Sequence, residues 1–407
     1  MRGSRLRARV ALLASVIAIP TSMLMSASAA PTFELTRISG SGGFEQGINI
    51  LPDGTIYVDE PSGLGAHSKL FRSTDFGATF SRITFPTPYG RLPGGGDSDV
   101  VLSDDGRVYF LDLWGGSNSL SVSHDGGDTW TVGNPIVGIP TSDRQWIGLG
   151  ARDPGTDLDT VYVVYSKLVV QPDWSWLARS TDGGMTFTYH RPIPFPTGGT
   201  EGPTGNLVSK DDFLAFVFED GGRLGVGVST DAGETWTSTP INALIPDADN
   251  NIPSIAMDGD DLHVAYVNRL DHSIMTATSH DRGVTWSAPT PVATTEGVNV
   301  FTWIASRDGK VGVAWYGSDS DVEVPDNVPA DGTWDVHYAE SLDAGSSYGE
   351  SVVVAPDVKA GAICTAGLSC SGGREVGDFI ALEIGYDGRA YIALYNRGPG
   401  HVAVQVS

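Results

Sequence analysis

Two arginines stand beside carboxylates in segments that interrupt the apolar pattern of the chain. Arg144 follows Asp143 in "TSDRQW", and Arg374 precedes Glu375 and Asp378 in "GREVGDFIA". A guanidinium presents parallel N–H donors at the spacing of a carboxylate's oxygens, so arginines in this setting suit a carboxylate-bearing sugar. Further carboxylates occupy comparable segments: Asp97 and Asp99 in "GGGDSDVV", and Glu201 in "GGTEGPTG". Two of Asp97, Asp99, Asp143, Glu201 and Asp378, at the right separation, would supply general acid and general base to a glycosidic bond. The segments that carry them are rich in Gly and Pro, as expected of exposed, turn-shaped connections.

Metal chemistry finds little support in the residue pattern. The eight histidines are scattered without ligand spacing, and Cys364 and Cys370 are the only cysteines. In "CTAGLSC" they read as one small disulfide-closed loop in an oxidising compartment, the alternative being a reduced buried pair. The Asp-rich stretch "GSDSDVEVPDN" at 317–327 would be a place for Ca²⁺, but it lacks the spacing of a defined calcium loop and reads first as solvated surface. No metal and no cofactor is expected.

Residues 1–29 have the layout of an export signal: Arg2, Arg5, Arg7 and Arg9, an apolar run from Val10 to Ile19, and Ala27-Ser28-Ala29 as a cleavage site. The run is too short to span a bilayer. Loss of those four arginines takes the formal charge from −24 to −28, a field that disfavours nucleic acid and anionic membrane surfaces as partners. The expected mature protein is secreted, with residues 30–407 forming one domain.

The elements that must position the charged segments are written as two interleaved repeats. One reads "RSTDFGATF", "VSHDGGDTW", "RSTDGGMTF", "VSTDAGETW", "TSHDRGVTW" and, more loosely, "ESLDAGSSY". In each, Asp75, Asp125, Asp182, Asp231, Asp281 or Asp343 can accept backbone N–H groups in a tight turn, the Gly two residues on supplies a positive φ, and the closing aromatic is an apolar peg. The other repeat is an apolar strand, an Asp/Gly turn and a second apolar strand, as in "INILPDGTIYVDE" and "ALEIGYDGRAYIALYN"; there are seven of these. No helical period is sustained. A unit of about fifty residues that cannot bury both sheet faces alone predicts an all-β fold, a seven-bladed propeller of four-stranded antiparallel blades, with six blades as the alternative. Counting on from Asp387 places a seventh box at Ser407, so the free strand "FELTRIS" at Phe33 to Ser39 is expected to close the last blade beside His401 to Val406.

The S-x-D-x-G-x-T-W segments resemble the Asp-box, or BNR repeat, of sialidases and other propeller proteins. The resemblance extends over nearly all of residues 30–407 and implies that the six box aspartates are structural, on the rim opposite the active face. It also implies that the loops entering the inner strands ring the mouth of a central channel. Glu45, Gln46, Asp97, Asp99, Asp143, Arg144, Glu201, Asp249, Asn250, Asn299, Arg374, Glu375 and Asp378 would then gather there. Trp114, Trp174, Trp176 and Trp334 fall in or near long loops on the same side and could stack on sugar rings or pack internally.

In an ungapped reading the chain departs from the sialidase pattern at three places. The first-blade Arg is absent from "GGFEQGINILPDG", the acid position falls at Gly65 and Ala66, and the Tyr nucleophile is replaced near Phe379. Two readings stay open: a glycan-active hydrolase or lyase acting on an acidic sugar, or a non-catalytic propeller that binds glycan or protein through the same face.

Overall fold

Each predicted hairpin is a pair of antiparallel strands. A computed structural model of the chain describes residues 30–63, 68–84, 95–114, 117–131, 136, 142–167, 175–194, 201–220, 222–245, 251–293 and 297–407; the export-signal reading of 1–29 lies outside them. Seven separate sheets form, six of them with four strands. The seven rule out the six-bladed alternative. The second blade has three strands, Ser98–Leu102, Val108–Trp114 and Ser117–Ser123, and its outer edge is marked among the described residues by one bridge between Val122 and Thr131.

The inner strands are Gly47–Ile50, Ser98–Leu102, Ser142–Asp153, Glu201–Lys210, Ser254–Asp258, Val298–Arg307 and Ala381–Ile384. Each contacts the next, and the seventh contacts the first, so the blades close a ring around a central channel. Between blades the sheets bury Val, Ile, Leu and aromatic side chains from both sides, as in the cluster of Ile48, Val58 and Phe71 with Tyr391 and Val402. This is how a blade that cannot cover itself becomes stable.

Closure is made by the chain's own start. Phe33–Arg37 pairs antiparallel with Gly400–Gln405, in register from Phe33 opposite Gln405 to Arg37 opposite His401. Phe33 also meets Tyr338 of the sixth blade edge-on, ring centroids 5.2 Å apart. The expectation of a non-covalent seal is met.

The six S-x-D-x-G-x-T turns share one hydrogen-bond pattern. At Asp75, Oδ1 accepts from Ser73 Oγ (2.7 Å) and Thr79 N (2.9 Å), while Oδ2 accepts from Thr79 Oγ1 (2.6 Å). The pattern recurs at Asp125, Asp182, Asp231 and Asp281, and at Asp343 with Ser347 in place of Thr. Two consecutive residues in each turn are left-handed, not the Gly alone: Phe76, Ala232, Arg282 and Ala344 take positive φ just before it. The Gly has a second reason to be Gly, since a Cβ at Gly233 would lie 2.0 Å from Leu177 of the preceding blade. These turns therefore lock neighbouring blades as well as reversing the chain, and all six lie at the end of the ring opposite the starts of the inner strands.

Cys364 and Cys370 are paired, and Cys364 N donates to Gly373 O at 2.9 Å, which ties the closed loop to the residue before Arg374. Trp334 is 0% exposed and donates its indole N–H to Gly361 O, so it is a core residue, not a sugar platform. Trp176 packs partly buried against the cluster around Tyr109 and Tyr165. Trp174 and the Trp114 side chain lie outside the described residues.

Two outcomes follow from this architecture. Deleting residues 30–38 strips the edge from the last blade and is expected to lower Tm and broaden unfolding, with aggregation; an unchanged melt in scanning calorimetry would contradict the seal. Replacing both cysteines by Ser should cost about 2 to 3 kcal/mol in urea unfolding, the chain-entropy value for so short a loop; two free thiols in the mass spectrum of the native protein would contradict the pairing.

Candidate functional site at the channel mouth

The inner strand of the third blade is interrupted where it begins. Gln145 pairs with Tyr165 and Asp143 with Ser166, which leaves Arg144 between them as the extra residue of a bulge. Its φ of +47° is unusual for a side chain with a Cβ, and bulges of this kind re-aim a side chain. Its backbone N–H leaves the ladder and reaches Asp97 Oδ2 of the second blade at 3.1 Å, while Gln145 Nε2 donates to Asp97 O at 2.6 Å.

Arg144 is 8% exposed, and its re-aimed guanidinium lies among carboxylates from four blades. Arg144 Nη2 is 2.8 Å from Asp378 Oδ2 and 3.9 Å from Glu45 Oε1, and its Nε is 3.8 Å from Asp97 Oδ2. Arg374 Nη2 reaches the same Asp378 Oδ2 at 2.8 Å and Glu45 Oε1 at 3.3 Å. Residues 45 and 378 meet because the first and last blades are neighbours in the ring. Glu45 is itself left-handed (φ +46°) and seated against Gly377, where a Cβ would fall 2.0 Å from its Cγ. Its loop is pinned by buried Glu60, which accepts from Gly42 N, Gly43 N, Ser41 Oγ and Lys69 Nζ.

Beneath the charges lies an aromatic floor that the residue pattern did not reveal. Trp146, Trp303 and Phe379, from the third, sixth and seventh blades, stand with centroids 5.4–5.7 Å apart, and the Arg144 guanidinium sits 5.3 Å over the Phe379 ring. Cation and ring attract through the ring's quadrupole. The same three side chains line the upper part of the channel cavity of about 370 Å³ that runs on past Asn49, Asn206 and Glu383.

Not every candidate reaches the mouth. The Asp99 carboxylate is turned into the wall, accepting from Ile147 N and Val100 N, both at 2.9 Å. Asn299 is buried and donates to His272 O, and Glu375 is exposed beside Lys359. Asp249, Asn250, Gly65, Ala66 and the Glu201 side chain lie outside the described residues. The acidic stretch 317–327 exposes Asp319, Asp321, Glu323 and Asp326, and among the described residues no cluster of three or more His, Cys, Asp or Glu side chains has the form of a metal site.

Electrostatics divides the carboxyls into two populations. Hydrogen bonds from Thr and Ser hold the repeated-turn aspartates low, Asp75, Asp125 and Asp281 to about 2. Around the mouth and the adjoining blades the opposite holds. Burial lifts Asp59 and Asp112 to about 7, and burial with the charge of Asp97 lifts Asp143 to about 7. Burial also drives Glu45 and Asp99 well above the usual carboxyl range. Burial works against the charge on Arg144, but Asp97, Glu45, Asp378 and Asp143 outweigh it and keep the guanidinium charged.

The raised group dictates a pH dependence. An acid whose folded pKa lies above its unfolded value keeps the fold more protonated than the unfolded chain, so its contribution is complete below about pH 4 and lost as pH rises through about 7. The repeated-turn aspartates act the other way, withdrawing stability only as pH falls toward about 2. Tm is expected to peak near about pH 4 to 5 and to decline toward pH 8. A Tm that climbs steadily from pH 5 to 8 in a buffer series at constant ionic strength would contradict the protonated cluster.

No protein-family model matches the chain, and no curated protein does. Solved structures do align with it. They include the Hadza microbial sialidase Hz136 (TM-score 0.45, 16% identity, over 83% of this chain and 73% of that one) and a Dyadobacter fermentans protein of unknown function (0.48, 14%, 91% and 97%). An α-L-arabinofuranosidase, arb93a, of Fusarium graminearum aligns at a TM-score of 0.48 and 12% identity, over 70% of this chain and 92% of that one. The seven-bladed ring itself rests on the strand pairings described above.

Proposed function

We propose that the chain is a secreted, glycan-recognising Asp-box propeller that takes a carboxylate-bearing sugar at the channel mouth, with Arg374 and Arg144 as the carboxylate-binding pair. One observation carries this reading: both guanidiniums converge on a single carboxylate oxygen, Asp378 Oδ2, each through Nη2 at 2.8 Å. Among the described residues Nη1 of both arginines is buried without a hydrogen-bond partner. A buried donor left unpaired costs about 1 to 3 kcal/mol, and binding sites are where such donors are retained. The pair thus already binds one carboxylate and keeps donors for a second.

The same surface serves a hydrolase, a lyase or a non-catalytic lectin. The half-buried carboxyl of Asp143, at about 7, favours the first two, because an acid of that strength can deliver a proton near neutral pH. Turnover of ordinary α-sialosides is not part of the proposal. Phe379, near the place where a Tyr nucleophile would stand, is 6% exposed in the aromatic floor, and the segment where the first-blade Arg would be, which holds Glu45 and Gln46, has no Arg. A retaining mechanism loses nearly all its rate when members of a cooperating set are missing. The export-signal layout read in residues 1–29 and the disulfide support an extracellular setting.

A glycan array read beside a panel of aryl glycosides tests this. Uronate- or sialate-bearing glycans are expected to bind, fluorogenic α-sialosides to remain essentially uncleaved, and Arg374→Ala to weaken acidic-glycan binding at least tenfold in protein that its melt shows to be folded at the assay temperature. Binding without preference for acidic glycans, or an Arg374→Ala variant that binds as well as the parent, would contradict it.

A further inference from the structure

A single backbone N–H at the mouth faces two carboxylates. Arg144 N lies 3.1 Å from Asp97 Oδ2 and 3.1 Å from Asp143 Oδ1. The bulge creates this arrangement, because the left-handed turn at Arg144 takes its N–H out of the ladder and points it between the blades. Two ionised oxygens around one donor repel, and the low dielectric of a buried setting makes the repulsion strong. The ordinary resolution is one proton held between the two groups.

The fold contains its own control for what the bulge requires. In the sixth blade Phe301 is left-handed too (φ +58°), at a register shift between Val300 and Trp303, and its N–H is accepted by Asn251 Oδ1 of the preceding blade at 2.8 Å. A neutral amide there does for Phe301 what the Asp97 carboxylate does for Arg144. Holding the bulge therefore needs an oxygen acceptor and no charge. The charge at 97 acts on the side chains around it, Arg144 and Asp143, and not on the backbone clasp.

The surrounding charges do not neutralise the pair. Arg144 Nε approaches Asp97 Oδ2 only to 3.8 Å, while Nη2 of Arg144 and Nη2 of Arg374 are both spent on Asp378. Glu45 competes for the same two guanidiniums. Four carboxyls, Glu45, Asp97, Asp143 and Asp378, thus share two cations.

We propose that Asp97 and Asp143 hold one proton between them at neutral pH and form the hydrogen-donating pair of the mouth, presenting a carboxyl O–H to an oxygen of the bound ligand. Asp97 is the positioning member, since it both clasps the bulge and keeps its partner protonated. A carboxyl held in this state is what general acid catalysis on a glycosidic oxygen requires. Only the identity of the ligand oxygen rests on the glycan reading; the shared proton does not.

The experiment is a ligand-free titration of the full-length protein labelled with ¹³C at the Asp carboxyls, followed by NMR and compared with Asp97→Asn and Asp143→Asn. In the parent, the Asp143 signal is expected to titrate with a midpoint near pH 7. In Asp97→Asn the bulge should persist, as it does beside Asn251, with Tm within a few degrees of the parent. The Asp143 midpoint should fall there by at least one pH unit. Asp143→Asn assigns the signal, and Asp97→Ser, which keeps an oxygen at that position, gives a second reading if Asp97→Asn folds poorly: the Asp143 midpoint should fall there too. An Asp143 midpoint below pH 5 in the parent, or one unmoved by Asp97→Asn, would overturn the pair. The expected Asp143 titration alongside a failed glycan array would overturn the glycan reading and leave the pair standing.

Discussion

A guanidinium buried near the axis of a closed ring is the constraint around which this molecule is arranged. Arg144 cannot lose its charge, so its burial demands carboxylates, and they come from separate parts of the chain: Glu45 ahead of the first inner strand, Asp97 ahead of the second, Asp143 beside it, and Asp378 ahead of the seventh. Removing one partner of such a buried set is far more costly than never having built it. The cluster therefore depends on the ring being closed. Glu45 and Asp378 are neighbours only because the chain's first described strand completes its last blade. Closure and site are one problem, solved by the pairing of Phe33–Arg37 with Gly400–Gln405.

Local backbone irregularity turns that ring into a site. A regular inner strand would direct alternate side chains to opposite faces of its blade, and Arg144 would fall wherever its parity sent it. The bulge removes it from the alternation, and the clasp from the preceding blade holds it there. Phe301 and Asn251 repeat the device half a ring away, which places Trp303 against Trp146 and Phe379 in the floor. The disulfide loop adds a third restraint by fixing the approach to Arg374.

What could be read in the residues was whatever is repeated. Six copies of a turn and seven hairpins predict blades, their number, the closing strand and the role of the Ser-Asp-Gly-Thr turns, because each copy repeats the same local physics. Arg144 and Arg374 were legible as carboxylate-binding candidates because each is a long cation placed just ahead of an inner strand; their meeting on Asp378 was not legible. The bulge at Arg144 was not legible: a one-residue shift in register leaves no mark in an apolar pattern of period two. Asp99, two residues from Asp97 and of the same parity, reads as its equivalent in sequence, yet its carboxylate accepts from Ile147 N and Val100 N while Asp97 accepts from Arg144 N at the bulge. The aromatic floor joins residues 146, 303 and 379, whose proximity only the closed ring creates. Trp334 misled because its loop neighbours are polar while its own side chain is wholly enclosed.

The claim on which all of this rests is that the mouth is one electrostatic unit held by Arg144. A double-mutant cycle between Arg144→Ala and Asp378→Ala, read by urea unfolding at pH 7, tests it most directly. If the account is right, the two substitutions are strongly non-additive, with a coupling energy of about 2 to 3 kcal/mol, at the upper end for buried partners in one network. Additive losses within about 0.5 kcal/mol would mean that the two residues stabilise the fold independently, and would contradict it.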